Sequence, residues 1–398
     1  MRLKIIGFLK RHPAALNMCW AFARFFLNII GWFIPIQEKT MLFASFGGRK
    51  FDDSPKVIYE EVCRRREFDD WRLIWAFVDP DMFEIPRGEK IRMDSLSFFL
   101  ALLYSHVWIS NSGMDRDIGI RKKGIIKVET WHGSVLKTGV GEEKNAMGGK
   151  KALERSRRGP LDAETIRCTQ SELDTEVFQR LFHATKDSFV KGLPRNDTLL
   201  RYTAEDVARI REKLHIPQGK KVILYAPTWR EYLLDKNKDT YIAPPMDLEK
   251  WERELGAEYV LLFRAHYAVT AALHLKENDF VRDVSAYPVL NDLFIISDLM
   301  ISDYSSIYHD YSILHRPIFC FAYDFEEFCE NRGVLIDMEK KMPCPLDPDE
   351  DTLIHHIQTM DYDACVEKTI RFQEEFATYY GHGSENVVDE ILRRLRAE

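Results

Sequence analysis

The sequence predicts an α/β protein built from two doubly wound, parallel-sheet units facing each other across a cleft. Three observations predict it. Short, continuous apolar runs recur between helical stretches, as expected of strands covered by helices on both faces. The alternation begins near residue 40, pauses at a charged helix with a turn over 204–220, and restarts at 221. At 398 residues the chain is too long for one ordinary core, so two units of similar size are expected.

In the first unit, "TMLFASF" (40–46) reads as a strand broken by Gly47-Gly48. Ser54-Pro55 reads as an N-cap followed by proline at the first helical position. "WRLIWAFV" (71–78), "VWIS" (107–110) and "GIIKVET" (124–130) are strands, with a helix over 95–106. "TIRCT" (165–169) and "DSFVKG" (187–192) carry weaker strand signals. In the second unit the strands are "KVILYA" (221–226), "YVLLFRA" (259–265), "FVRDV" (280–284), "LMIS" (299–302) and "IFCFA" (318–322), with a helix over 288–297. Helices at 349–360, 365–380 and 384–397 close the chain and suit either unit or a bridge between them. The expected boundaries are 1–36, 37–200, 201–362 and 363–398.

Apolar residues make up 45% and charged residues 30%, a globular composition. A net charge of −7 argues against a nucleic-acid binder, which shows a basic surplus. The seven cysteines are scattered with no CxxC pair, the pattern of reduced thiols and not of a disulfide framework or zinc site. The N-terminus departs from this average. Residues 1–12 carry Arg2, Lys4, Lys10 and Arg11 without an acid, and 13–36 are largely apolar and aromatic. No small-residue site closes the apolar run as in a signal peptide. Arg24 would sit at the centre of a membrane-spanning helix. A helix lying in the membrane interface suits the joined basic and apolar blocks, with Trp20, Phe25, Phe26 and Trp32 sunk below the headgroups. The plainer alternative is a helix packed on the protein's own core.

Ligands of open parallel sheets sit outside the carboxyl ends of strands, so the strand-ending motifs carry the functional expectation. "ETWHGSVLKTG" brings a buried strand to His132, whose imidazole can take and return a hydroxyl proton near neutrality. Gly133 would let a substrate approach the backbone, and Ser134 and Lys137 follow as acceptor or phosphate contacts. "FRAHY" sets Arg264 and His266 on one side of a strand, a fork and an imidazole suited to a diphosphate. "APTWR" turns Thr228 and Arg230 towards the cleft. In "ISDYSSIYHDY" a strand ends at Asp303, and Ser305 or Ser306 can cap the next helix or donate to a phosphate. Each motif also has a purely structural reading: a capped helix, a paired arginine, a histidine at a strand end. Dinucleotide, Walker A and Gly-x-Ser-x-Gly patterns are absent, and no cluster has metal-ligand spacing.

The joint order of these motifs is more specific than any one. "SFGGRKFDDSPKVIYEEV", "TWHGSVLKTG", "GLPRND", "YAPTWR", "RAH" and "ISDYSSIYHDY" together resemble the CDP-glycerol glycerophosphotransferase family, the bacterial teichoic-acid primases and polymerases, over about residues 40–345. The resemblance implies a GT-B-like fold of two Rossmann-type domains, attached peripherally to the cytoplasmic face of the membrane. It implies transfer of glycerol phosphate from CDP-glycerol to a hydroxyl of a lipid-linked acceptor, with release of CMP and no cofactor or metal. His132 maps to the family's proposed general base and His266 to its second essential histidine. Ser305 and Ser306, with Asp303 close by, map to the donor diphosphate contacts. His309 and Cys344 depart from the family pattern, so CDP-ribitol remains an alternative donor. A nucleotide-sugar glycosyltransferase of the same architecture is the rival enzyme class, and a non-catalytic membrane-surface module the rival outside enzymes. A homo-oligomer stays open.

Overall fold

Two parallel sheets organise the chain in a computed structural model that describes residues 13–115, 118–120, 122–137, 164–228, 230, 245–265 and 278–397. The first holds β1 (Gln37–Ala44), β2 (Arg72–Phe77), β3 (Glu89–Arg92), β4 (Ser105–Ser110), β5 (Ile126–Glu129), β6 (Ile166–Thr169) and β7 (Phe189–Lys191). Its spatial order is β3-β2-β1-β4-β5-β6-β7. The second holds β8 (Lys221–Tyr225), β9 (Tyr259–Phe263), β10 (Val281–Asp283), β11 (Leu299–Ser302), β12 (Ile318–Phe321) and β13 (Leu346–Asp347), in the order β10-β9-β8-β11-β12-β13. The pairings in both are parallel; Leu42 lies level with Ile74 and Trp108, and Leu224 with Leu262 and Met300. Strand order therefore reverses between β1 and β4 and again between β8 and β11, giving each sheet a crevice at its carboxyl edge.

The helices in chain order are α1 (Pro13–Phe33), α2 (Asp53–Arg64), α3 (Leu96–Tyr104), α4 (Glu172–Phe182), α5 (Ala204–Lys213), α6 (Leu248–Leu255) and α7 (Leu290–Ile296). They continue as α8 (Ile307–Ser312), α9 (Phe325–Asn331), α10 (Met338–Lys341), α11 (Glu350–Gln358), α12 (Tyr362–Phe376) and α13 (Gly383–Leu395). Because side chains alternate along a strand, each central strand feeds two cores. Met41 and Phe43 join Tyr59 and Trp75 on one face, while Leu42 and Ala44 join Phe98 and Leu102 on the other. Val222 and Leu224 divide from Ile223 and Tyr225 in the same way.

Three details differ from the sequence expectation or sharpen it. The helix expected to start at Pro55 after a Ser54 cap begins two residues earlier, at Asp53. Ser54 lies inside the first turn, and its hydroxyl accepts from the Arg195 backbone N–H at 3.3 Å. Pro55 is still tolerated, because first-turn N–H groups have no intrahelical partner. The C-terminal helices part company. α12 lays Phe372 and Phe376 on the second core, whereas α13 returns to bury Val387, Val388 and Ile391 in the first. α1 is tied to the first unit by one face only. Leu27 and Ile34 pack beside Leu103, and the Arg24 Nε donates to the Ile118 carbonyl at 2.6 Å. Its other face leaves Phe22, Phe25, Phe26, Ile30, Trp32 and Phe33 exposed. Among the described residues, no helix is long and apolar enough to cross a membrane. The basic block at 1–12 lies outside the described residues.

Candidate active site between the two sheets

His132 follows β5 at the carboxyl edge of the first sheet, where the Thr130 N–H still donates to the Ser110 carbonyl at 2.9 Å. Trp131 then turns the chain with φ of 59°, and Phe46 and Asp53 beside it have φ of 47° and 63°. Bulky residues held in this left-handed region cost energy, and such outliers gather where the surrounding structure dictates a geometry. The His132 Nδ1 lies 3.3 Å from the Asn111 carbonyl oxygen. A carbonyl only accepts, so Nδ1 carries the proton and the Nε2 lone pair is left bare. Asn111 is fully buried, and its Oδ1 accepts from the Phe46 N–H at 2.8 Å, which fixes the wall on the far side of the ring. The imidazole is open to the cleft on one edge yet crowded by Trp131 at 4.3 Å and Phe46 at 6.4 Å between ring centres. That enclosure pushes its pKa below the ordinary histidine value. The Asn111 carbonyl and then Asp53 pull the pKa back up, and Arg195 and Lys137 push it down further.

Gly133 was expected to admit a substrate; its near neighbour is instead the second unit. A Cβ at Gly133 would stand 2.7 Å from the Ser306 Oγ. The loop after His132 continues onto that unit, where Lys137 bridges Val334 and the Leu335 N–H donates to the Leu136 carbonyl at 2.8 Å. Ser134, expected as an acceptor or phosphate contact, is buried and donates to Asp174 Oδ2 at 2.6 Å. Gln170, at the end of β6, donates to the Ser134 Oγ at 2.8 Å and to Asp310 Oδ1 at 3.0 Å. Asn196 donates to both Gln170 and Asp310 at 2.7 Å. Ser134 thus belongs to a buried network joining the two units, which leaves its hydroxyl occupied.

Arg230 and Asp303 are likewise committed. Arg230 Nη1 donates to Asp303 Oδ2 at 2.9 Å, and its Nε and Nη2 grip Asp324 at 2.7 and 2.8 Å. Asp303 also accepts from the Thr228 N–H at 2.9 Å and the Tyr304 N–H at 2.7 Å. The Nε, Nη1 and Nη2 of Arg230 each reach a protein acceptor, an arrangement that holds the strand ends around the crevice. Burial would weaken the guanidinium's charge, but Asp303 and Asp324 outweigh it and raise its pKa. Thr228 stays half-buried at that edge.

Arg264 is different. Its Nη1 donates to the Val284 and Tyr287 carbonyls at 3.2 and 2.9 Å, and its pKa is lowered by burial, with Asp52 opposing. Lys50, from the first unit, lies over the Phe46 ring at 5.0 Å. Its pKa is lowered by burial and then by repulsion from Arg264 across the cleft. Asp52, whose charge opposes both shifts, is itself pushed up to about 6, by burial first and then by Asp53. Ser305 and Ser306 are half-buried before α8; Ser306 occupies the cap position without a side-chain cap bond, while the Ile307 N–H reaches the Ser305 Oγ at 3.4 Å. A cavity of about 430 Å³ shares Asp52, Asp53 and Arg195 with this region but runs towards Tyr202, Arg209 and Asn291, and its lining does not include His132, Arg264, Ser305 or Ser306. His266 lies outside the described residues. No group of three metal-ligating side chains converges among those described. The structure also brings in Lys50, Asn111, Gln170, Arg195 and Asp310, none of which sequence reasoning singled out. Asn111 and Gln170 do follow strands directly, the one signal that could have found them.

Two doubly wound parallel sheets, with the loop after His132 from one against Ser306 at the start of a helix from the other, make a GT-B-like α/β fold. The chain belongs to the CDP-glycerol:poly(glycerophosphate) glycerophosphotransferase family, whose model matches residues 26–393. It is 31% identical to a teichoic acid poly(glycerol phosphate) polymerase of Bacillus spizizenii over 92% of this chain and 94% of that one. A Staphylococcus epidermidis polymerase of the same name is 32% identical over 91% of this chain, which spans about half of it, 52%. The solved wall teichoic acid polymerase TagF superposes with a TM-score of 0.81 at 28% identity, covering 100% of this chain and 99% of that one. UDP-bound MnaA of S. aureus, with a TM-score of 0.54 at 12% identity over 90% of this chain and 97% of that one, shares the fold alone.

Proposed function

We propose that the chain transfers glycerol phosphate from CDP-glycerol to a hydroxyl of a lipid-linked acceptor at the cytoplasmic membrane surface, releasing CMP. The observation that supports this reading is the close approach of Gly133, the residue after His132, to Ser306 at the start of α8, which brings the two strand-end motifs of opposite units together. The Nε2 takes the acceptor's hydroxyl proton, and the freed oxygen attacks the glycerol-bearing phosphorus. One P–O bond forms while the bond to the CMP phosphate breaks in line, and CMP leaves with that electron pair. Arg264, Ser305 and Ser306 face the charge that builds on the phosphoryl oxygens, and Lys50 adds a cation from the opposite unit. Two desolvated cations that repel each other lose that repulsion when a phosphate sits between them, which supports this position for the diphosphate. His266 joins them through the family resemblance.

The test is nucleotide release. CMP should appear from CDP-glycerol only when a lipid-linked acceptor is supplied. Release from CDP-ribitol alone would move the donor assignment, and UMP or UDP from nucleotide sugars would overturn the reaction class.

The exposed face of α1 supports a peripheral membrane attachment. Trp32 and Phe33 are each 82% exposed, and the neighbouring α3 adds Leu96 and Leu100. Each large side chain sunk into the interface contributes roughly 1.5–3 kcal/mol. Phe25→Ser with Trp32→Ser, both outside the packed face, should lower binding to phosphatidylglycerol vesicles by roughly tenfold or more. Unchanged cosedimentation would put the membrane face elsewhere.

A further inference from the structure

Arg195 is a guanidinium, its side chain 12% exposed, that touches both units and the His132 loop at once. It comes from "GLPRND", where Pro194 opens a tight turn over Pro194–Leu200. The neighbours on either side of the turn are tied down: Asn196 to Gln170 and Asp310, and Asp197 to the Gly383 and Ser384 N–H groups at 2.9 and 2.8 Å. The fork is thereby fixed in place. Its Nη1 donates to the His132 carbonyl at 2.9 Å and to Asp53 Oδ2 at 3.0 Å, and its Nη2 donates to Asp310. Asp310 lies in α8, the helix that Ser305 and Ser306 precede.

We propose that Arg195 is a positioning residue that holds the His132 loop in its reactive pose and makes that pose depend on the second unit being docked. This rests on the reading of His132 as the proton acceptor. His132 has two anchors: the Asn111 carbonyl fixes the ring, and Arg195 fixes the backbone directly after the left-handed Trp131. Without the second anchor the loop is free to relax. Because the other arm of the fork is paired with Asp310, the anchor is complete only when α8 lies against the first unit. A guanidinium alone reaches all three partners; an ammonium is one point charge and satisfies one or two.

Arg195 also sets the charge around the imidazole. The ionisable groups acting on His132 are Asp53 from α2, Arg195 from the turn at 194–200, and Lys137 from its own loop. Asp53 favours the imidazolium, while Arg195 and Lys137 disfavour it. Removing the Arg195 charge leaves the Asp53 carboxylate less opposed, so the His132 pKa must rise. Keeping the charge without the fork must leave that pKa nearly unchanged.

The experiment compares Arg195→Lys and Arg195→Gln in the full chain. It follows the histidine Cε1–H resonances through a pH titration, with His132→Asn to assign the signal, and measures single-turnover CMP release and CDP-glycerol affinity. Arg195→Lys should lose about 10²-fold in rate, the scale of a misplacement near 1 Å, with donor affinity within about threefold. Its His132 titration should not move. Arg195→Gln should lose at least as much rate and titrate His132 at higher pH. A lysine variant with full turnover, a glutamine variant whose His132 titrates as in the unaltered chain, or loss of CDP-glycerol affinity in place of rate would each overturn the assignment. The titration needs no turnover. If the unaltered chain releases no CMP, the functional reading fails while the Arg195 contact to His132 is still judged by the resonance.

Discussion

His132→Ala is expected to lower turnover by about 10²–10⁴-fold, the usual contribution of a positioned general base, while leaving CDP-glycerol affinity nearly unchanged. The split follows from the geometry. The imidazole is open on one edge with a bare Nε2, whereas the proposed donor contacts, Arg264, Ser305 and Ser306, lie on the second unit. Single-turnover CMP release with a lipid-linked acceptor, set against calorimetric binding of CDP-glycerol, separates the two effects. Loss of binding with turnover preserved in the bound fraction would assign His132 to the donor. The pH profile adds a sign. A base must be neutral to act, and enclosure between Trp131 and Phe46 lowers the His132 pKa below its ordinary 6.5. The acidic limb of kcat/KM should therefore fall below that value, so that activity persists into mildly acidic solution. A limb above 6.5 would mean that the Asn111 carbonyl and Asp53 outweigh enclosure, Arg195 and Lys137 together.

The fold was legible because central strands of a doubly wound sheet are buried on both sides and write themselves as unbroken apolar runs. Thus 299–302 and the cores of β1, β2, β8 and β9 stood out. β3, "EKIR", pairs only with β2 at the sheet edge, stays half-exposed and has no apolar run to announce it. β13 is two residues long and equally silent. The return of α13 to the first core was also not legible. Its apolar stripe shows that Val387, Val388 and Ile391 must be covered, but not by which sheet. At the site, motif position at strand ends located His132, Arg264 and Asp303 correctly along the carboxyl edges. What side chains do there depends on partners distant in sequence. Ser134 meets Asp174, 40 residues away, and Arg230 meets Asp324, 94 residues away. A polar residue at a strand end looks the same in sequence whether it faces a ligand or a buried carboxylate. Arg195 was hidden for the same reason: its partners Asp53, His132 and Asp310 come from three separate segments.

Arg230→Ala should cost the second unit about 3–5 kcal/mol of unfolding free energy, because it strips the counter-charge from buried carboxylates. The Arg230 and Asp303 side chains are 3% and 0% exposed, and Asp324 is 10% exposed, so little solvent is available to replace the guanidinium. The guanidinium also lies 4.8 Å from the centre of the Tyr304 ring, whose hydroxyl donates to Asp324 at 2.9 Å, so the loss spreads into packing. Asp324→Asn is the milder control: its remaining oxygen still accepts from Arg230 Nη2 and the Tyr304 hydroxyl, its amide gives up the Arg230 Nε bond, and Asp303 stays paired, so it should cost less than Arg230→Ala. Urea unfolding followed by fluorescence reads both, with the midpoint falling in that order. CDP-glycerol titration at a temperature where each variant remains folded decides between the two roles for Arg230. A structural arginine changes stability and spares intrinsic donor affinity. A donor ligand would do the reverse, and a folded Arg230→Ala protein of unaltered stability that no longer binds CDP-glycerol would return Arg230 to the binding site.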